Sequence, residues 1–534
     1  MHYVKALKIL QGKHSHTVLL ALVTLLFQLS VPLPSFPLND DYPYYKTVEN
    51  ILHGDVRLHH PINMTFLLQG FYGAVVASVA GLSHSSLAAG TILLSTAGIM
   101  IFYALLRRFF DRTVSTLGAL TLLVNPFYFY LSHTFMTDIP RLALSLLSVY
   151  FFVRSVETKR RTYVTLGVLS ALAAFWVRQF GIFTIGGLVL YYLFDDRKQL
   201  LTRRNAILLF ALPATMIVTW LYWYYAVNGS AGYTEGYFNV GLNVLRTIGK
   251  GALHAGYFIF PLGAFYLFNY RTVRKKFFTL ERSRKTFVAL MLLAMAGFAA
   301  AAHFFLGYNA FYQFSLMSAS RLGIKTIPGI KPNGIFPEAL AGPLTLLSIA
   351  AFVGVLVDIL SVRRGDKRFR LLSFVMVAEV VPLLFTMNFF ERYFLLLIPI
   401  MTLFALRSLS RHVSVKRILV AYVLLFGALS WYGTYDNMSW NSARWEGVGY
   451  LHGIGVAEEK IDAGFEYNAR FYETCIQRPE LAVRWQSWAC SLSDAYVVSF
   501  EQQPGYDVLH RVAYYGPFGE RLGDVLVLKK NGAQ

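Results

Sequence analysis

The chain has 534 residues, of which 56% are hydrophobic, 16% aromatic and 15% charged, and its formal net charge is +20. Soluble domains carry roughly 25% charged residues, so a chain this poor in charge falls outside that class. The positive charge lies in short loops between apolar blocks rather than on an aromatic-interleaved surface, which excludes nucleic acid as the partner and points to a polytopic α-helical membrane protein.

In chain order, the first apolar block, 17–34, follows Lys5, Lys8 and Lys13 without a small-residue cleavage site, and reads as a retained anchor. Further blocks of spanning length follow over 86–106, 113–131, 139–154, 162–177, 180–194, 205–226, 252–270, 286–306, 342–361, 371–388, 393–408 and 417–434. The expected count is therefore about thirteen, with 162–194 open to reading as one broken hairpin. Basic residues fill every second loop: "RRFFDR" (107–112), "ETKRRT" (157–162), "DDRKQLLTRRN" (195–205), "RTVRKKFFTLERSRK" (271–285), "RRGDKRFR" (363–370) and "RSLSRHVSVKR" (407–417). With these loops and the N-terminus in the cytoplasm, an odd count puts the C-terminus outside.

The long irregular segments 35–85, 227–251, 307–341 and 435–534 then share the outer face. Within the first, "TFLLQGFYGAVVASVAGLS" (65–83) is apolar but lacks basic flanks, and counting it as a span would invert every later loop. It is expected to lie along the membrane surface as an interfacial helix. From residue 435 the pattern changes to short alternating runs divided by Gly, Pro and Asp, as in "EKIDAGFEYNARFYE", "DAYVVSFEQQ", "YDVLHRVAYYG" and "GDVLVLKK", with a helix over Ser442 to Gly453. This predicts a small α/β domain over 435–534, set against a membrane domain over 1–434. The two cysteines, Cys475 and Cys490, both lie in it, where an extracytoplasmic location would permit a disulfide.

Chemistry-bearing residues gather on the outer side. "SFPLNDDYPYYKTVENILHG" (35–54) sets Asp40 and Asp41 at the mouth of the first span, ahead of Tyr44 and further tyrosines. Two adjacent carboxylates at a low-dielectric boundary repel, so one can keep a raised pKa and act as a base. The alternative is N-cap chemistry for the helix that follows. "LHHPI" (58–62) brings His59 and His60, and "SHTFMTDIPR" (132–141) brings Asp138 and Arg141. Basic residues on the outer side run against the topology rule: Arg141, Arg178, Arg321, Lys325, Lys331 and Arg392. Either each pairs with a carboxylate, Arg392 with Glu391 or Asp138 for example, or the set binds a phosphate at the outer leaflet. Phosphate-binding Gly-rich loops, dinucleotide fingerprints, zinc helices and nucleophile elbows are all absent.

The acidic pair after the first span, the Tyr-rich helix ending in Leu52-His53-Gly54, the His-Pro turn, "NPFYFYLSHTFMTDIPR" and "ERYFLLLIP" together resemble the GT-C glycosyltransferases. That superfamily includes the protein O-mannosyltransferases and the bacterial lipid A aminoarabinose transferases. The resemblance implies transfer of a sugar, with inversion, from a polyprenyl-phosphate donor to a lipid, glycan or protein acceptor on the extracytoplasmic face of the inner membrane. It implies Asp40 as catalytic base, with Asp41 standing where a Glu is commoner. His59 and His60 fall where relatives carry a turn that contributes to phosphate or metal binding, so a divalent metal held by Asp40, His59 and His60 is one expectation. Arg178, Arg392, Lys325 and Lys331 would hold the leaving phosphate, Asp138 would orient the acceptor or Arg141, Tyr44 and its neighbours would line the sugar cavity, and 307–341 would form a lid. A lipid-linked saccharide transporter and a polysaccharide polymerase or ligase are the rival readings. A transporter would bury its ionisable residues near the bilayer midplane, and a polymerase would carry an Arg- and His-rich outer loop.

Overall fold

The computed structural model describes residues 15–62, 64–229, 242–306, 327, 340–385, 391–410, 415–486 and 489–532. The apolar blocks form helices because runs of Leu, Ala, Phe and Val can satisfy every backbone polar group internally, as lipid requires. They are α1 (Ser15–Leu29), α2 (Asp41–Leu52), α3 (Leu67–Ala80), α4 (His84–Leu106), α5 (Arg112–Leu123), α6 (Pro126–Leu131), α7 (Asp138–Thr158), α8 (Arg161–Val177) and α9 (Phe183–Asp195). Then come α10 (Arg203–Val227), α11 (Leu242–Phe258), α12 (Pro261–Phe268), α13 (Tyr270–Thr279), α14 (Arg282–Leu306), α15 (Ala341–Leu360), α16 (Lys367–Leu383), α17 (Leu397–Leu409) and α18 (Val415–Gly453). Among the described residues, six helices are long and apolar enough to cross a membrane: α4, α7, α10, α14, α15 and α18. α11 and α12 meet at 91° and together make a seventh candidate, while α1, α3, α8, α9 and α17 are shorter apolar helices. The protein is a multi-pass helical membrane protein with a small sheet-bearing C-terminal part.

Ion pairs show that the basic loops converge. Arg108 and Arg368 share Glu157, Arg370 pairs with Asp195, and Arg407 pairs with Asp366. α7 runs from Asp138 to Glu157 and beyond, so these pairs lie about 28 Å from Asp138 at 1.5 Å per residue. The bundle thus has a basic end and an opposite end, and the candidate site is at the latter. α8 and α9 are two helices divided at 178–182. The exposed side of α3 is an apolar row of Leu68, Phe71, Val75 and Val79, as a helix bordering lipid requires.

In the C-terminal part, a four-stranded sheet has the order β1-β4-β6-β5: β1 (Ile461–Asp462), β4 (Tyr496–Ser499), β6 (Arg521–Lys530) and β5 (Tyr506–Tyr515). β1 is parallel to β4 and the other pairs are antiparallel. β2 (Arg484–Gln486) and β3 (Ala489–Ser491) form a separate hairpin pair. The alternating runs expected as strands are strands, except that "EKIDAGFEYNARFYE" keeps only β1 and turns helical at Phe465–Asn468 and Tyr472–Gln477. Cys475 and Cys490 are joined as a disulfide. The span expected over 417–434 and the helix expected over Ser442 to Gly453 are one continuous helix, α18, whose Val448 and Leu451 pack on Val512, Val525 and Val527 of the sheet.

Candidate active site

Asp40 occupies the N-cap position of α2, yet its side chain makes no capping hydrogen bond. Its Oδ2 instead accepts from Nη2 of Arg392 at 3.0 Å. An N-cap aspartate that declines its own helix gives up roughly 1 kcal/mol of helix stability, so the pair with Arg392 replaces a purely structural role. Asp41, one residue on, turns inward. Its carboxylate accepts from the backbone amides of Phe135 (3.1 Å) and Leu38 (3.4 Å), tying the Asp40 loop to the start of α7. Burial holds the Asp41 carboxyl well above the usual carboxylate range, and the two amides and the neighbouring Asp40 charge act as smaller influences. The acidic pair is therefore divided in function: Asp40 faces the site and Asp41 secures the loop.

The loop itself is held from the C-terminal part. Asn39 adopts φ 53°, a left-handed conformation that asparagine tolerates. Its backbone N–H donates to Glu466 Oε1 at 3.3 Å, and its side-chain amide donates to the Tyr130 hydroxyl at 3.1 Å. Glu466 in turn accepts from Nη1 of Arg444 at 2.8 Å, and Arg444, fully buried on α18, donates through Nε to the Ala463 carbonyl at 2.7 Å.

Two further ion pairs sit with Asp40 and Arg392. Nη1 of Arg178 donates to Asp138 Oδ1 at 2.9 Å, and Arg141 pairs with Glu379, which also accepts from the Thr184 hydroxyl at 2.8 Å. Arg178 is placed by the break after α8: it is extended, φ −157°, and the chain then tightens into a turn over Gln179–Ile182. Gly181 makes that turn possible, since a Cβ there would stand 2.4 Å from the Ala174 carbonyl carbon and 2.5 Å from the Phe175 nitrogen. The Arg178 guanidinium lies 4.6 Å from the ring centre of Tyr393, and Arg141 and Arg178 both face Phe180 at about 6 Å. Tyr44 is buried among these charges, stacked on Phe66 at 4.6 Å with its hydroxyl donating to Met64 Sδ. Burial, with the Asp40 charge next, pushes that hydroxyl well above the usual tyrosine range.

Three carboxylates thus meet three guanidiniums in one buried cluster, and Asp40, 15% exposed at its side chain against 4% for Asp138, is the more open carboxylate. Asp138 Oδ2 and Arg141 Nε are buried without hydrogen-bond partners among the described residues.

Of the residues singled out in the sequence, Asp40, Tyr44, Asp138, Arg141, Arg178 and Arg392 come together. Arg392 pairs with Asp40. His59 and His60 make no hydrogen bond or ion pair to these residues. The His59 backbone N–H donates to Thr47, and its ring meets Tyr42 edge-on, with burial pushing its pKa down. Lys325, Lys331 and Arg321, with nearly all of 307–341, lie outside the described residues. Among the described residues no three His, Cys, Asp or Glu side chains converge as metal ligands, so the donor set of Asp40, His59 and His60 does not fit a metal. Sequence reading missed Glu379, Tyr393, Thr184 and Glu466. Glu379 carried a signal, since it is a lone carboxylate in the apolar run "VMVAEVVP", and such residues mark functional positions.

Residues 59–223 match the family model described as dolichyl-phosphate-mannose-protein mannosyltransferase. The chain resembles the GT-C glycosyltransferases. The match takes in His59, His60, Asp138, Arg141 and Arg178, with Asp40 before it and Arg392 beyond it. No curated relative matches. Similar solved structures include Archaeoglobus fulgidus oligosaccharyltransferase AglB in complex with an inhibitory peptide and a dolichol-phosphate, at 16% identity and TM-score 0.43, over 84% of this chain and 60% of that one. ArnT from Cupriavidus metallidurans bound to undecaprenyl phosphate is another, at 13% identity and TM-score 0.45, over 97% of this chain and 98% of that one. A third is the Archaeoglobus fulgidus oligosaccharyltransferase in complex with Zn and sulfate, at 15% identity and TM-score 0.41, over 83% of this chain and 57% of that one. The chain spans about three fifths of the length of the archaeal proteins.

Proposed function

We propose that this protein is an integral membrane glycosyltransferase that moves a sugar from a polyprenyl-phosphate donor to an acceptor on the extracytoplasmic face, inverting the anomeric centre, with Asp40 as general base. The supporting observation is the Asp40 side chain, turned away from the helix it could cap and toward Arg392 in a cluster of three arginines. In this reading Asp40 takes the proton from an acceptor hydroxyl or amine as that atom bonds to the anomeric carbon. The anomeric C–O bond breaks, and its electron pair leaves on the polyprenyl phosphate. Proton uptake neutralises Asp40 and releases Arg392 from its partner as the departing phosphate gains charge, so one guanidinium serves base and leaving group in turn. Arg178, braced by Asp138 and Tyr393, and Arg141, braced by Glu379, supply the remaining positive field.

The same reading carries about thirteen spans, a cytoplasmic N-terminus in the inner membrane and an outer α/β domain over 435–534. Release of free polyprenyl phosphate by the purified protein, offered a panel of polyprenyl-phosphate sugars and cell-envelope acceptors, tests it. Asp40→Asn should lower that release by roughly 10² to 10⁴, the usual contribution of a positioned base. Undiminished release by Asp40→Asn removes Asp40 from the role. Movement of labelled lipid-linked sugar across proteoliposomes, with no turnover, replaces the enzyme by a transporter.

A further inference from the structure

At the basic end of the bundle, away from Asp40, a small open cavity is bounded by Lys159, Arg160, Arg161, Gln199, Arg204 and Asn205. Val156 and Val164 form part of its apolar wall. α8 joins the two ends of the molecule: Arg161 opens it at the cavity and Arg178 follows its last residue at the candidate site, about 25 Å away at 1.5 Å per residue.

The cavity is built from two chain reversals. Lys159 ends α7 in a left-handed conformation, φ 58°, which turns Arg160 and Arg161 to the rim. On the facing side Thr202 caps the turn at 203–206 through Asn205 N–H, and buried Asn205 donates to the Gln199 carbonyl at 2.7 Å. Arg204 crosses between the two, donating through Nη2 to the Arg161 carbonyl and the Thr165 hydroxyl. Its position is fixed by neutral partners, so its charge is not spent.

Charge balance at this cavity is strongly positive. Among the described residues, only Lys159 of its four cations has a carboxylate partner, Asp196 at 3.3 Å. Arg160 and Arg161 make no side-chain hydrogen bond or ion pair among the described residues, and Arg197, Lys198 and Arg203 add charge from the same loop. The nearby acids are committed elsewhere, Glu157 to Arg108, Arg154 and Arg368, and Asp195 to Arg370. Loop charge that served topology alone would need no cavity. On the two helices that border the cavity, Leu166 and Leu169 of α8 and Phe194 of α9 are exposed apolar side chains, a surface suited to hydrocarbon tails.

We infer that this cavity binds the phosphate of an anionic lipid headgroup, with the tails lying along α8 and α9. Unpaired guanidiniums around a recess at the polar edge of an apolar wall match a phosphodiester carried in a leaflet. The inference needs only the membrane placement of the bundle and is independent of the transfer reaction.

The test is native mass spectrometry of the full chain released from nanodiscs of phosphatidylglycerol and phosphatidylcholine in equal amounts. Wild type should retain phosphatidylglycerol over phosphatidylcholine by about tenfold or more. R160Q/R161Q/R204Q should bring the ratio near one, and R160Q/R161Q, which leaves the Arg204 ties intact, should lose most of the preference. A control, K275Q/R363Q/R364Q, removes as much charge from other basic loops and should keep it. Full preference in both cavity variants, or an equal loss in the control, overturns the assignment. Displacement of the retained lipid by inorganic phosphate assigns the cavity to free phosphate and overturns the lipid.

Discussion

Asp40 and Asp41 differ by one position in sequence and by their whole environment in space. Asp40 meets a guanidinium in a partly open cluster, whereas Asp41 is enclosed and bonded to two amides. The raised pKa of Asp41 has a definite consequence for stability. A carboxyl whose folded pKa lies above its unfolded value binds more protons when folded, so its contribution is present below the unfolded value of 3.8 and is lost as pH rises through the folded one. Asp41→Asn cannot titrate, and should flatten that part of the stability–pH curve, measured by thermal unfolding between pH 4 and neutrality. An unchanged pH slope would show that Asp41 is ionised in the folded protein. The importance of the pair was legible from its place after an apolar block. The different surroundings of the two carboxylates were not, because they depend on Phe135 and Arg392, 94 and 352 residues away from their partners. Arg178 and Arg392 were legible for the opposite reason: a basic residue in an apolar run on the outer side needs an explanation that its neighbours do not provide.

At the scale of elements, the site depends on how helices end. Arg178 is aimed by the break between α8 and α9, and the break depends on Gly181. Gly181→Ala forces a Cβ against the backbone of Ala174 and Phe175, so the turn must move and Arg178 with it. A displacement near 1 Å can lower turnover about a hundredfold, and kcat should fall with little change in unfolding temperature if the shift stays local. The second element-level device is the clamp from α18 through Glu466 to Asn39. Glu466→Ala would leave Arg444 charged, buried and without its carboxylate, which typically destabilises by about 3–5 kcal/mol, readable by denaturant titration. Turnover should fall as well, since the Asn39 amide loses its acceptor. The helices themselves were legible from apolar run length. The continuation of α18 past residue 434 was not, because its outer half trades apolar residues for Asn, Ser, Arg and Glu and is held by the sheet rather than by lipid.

Across the whole molecule, charge is distributed by end. The basic end carries its cations in loops, partly paired with Glu157, Asp195 and Asp366. The other end buries Arg392, Arg178 and Arg141 against Asp40, Asp138 and Glu379. A sequence read by loops finds the first set at once, because topology demands it. The second set emerges only as exceptions to that rule, and the pairing that joins them is tertiary.

α18 is 39 residues without a break, about 58 Å from the bundle into the sheet. A helix of that kind is also an angular gauge, in which residue count fixes bearing and height together. One residue inserted after Tyr435 turns everything beyond it by about 100° and advances it by about 1.5 Å. Glu466 would then face away from Asn39, with every side chain of the sheet still in its native surroundings. Seven inserted residues restore the bearing to within about 20° but raise the sheet by about 10 Å, so no insertion recovers both. Single-alanine insertion should therefore abolish polyprenyl-phosphate release while the Cys475–Cys490 disulfide still forms. Full activity in such a variant would mean that the outer part finds its place without the helix as its ruler.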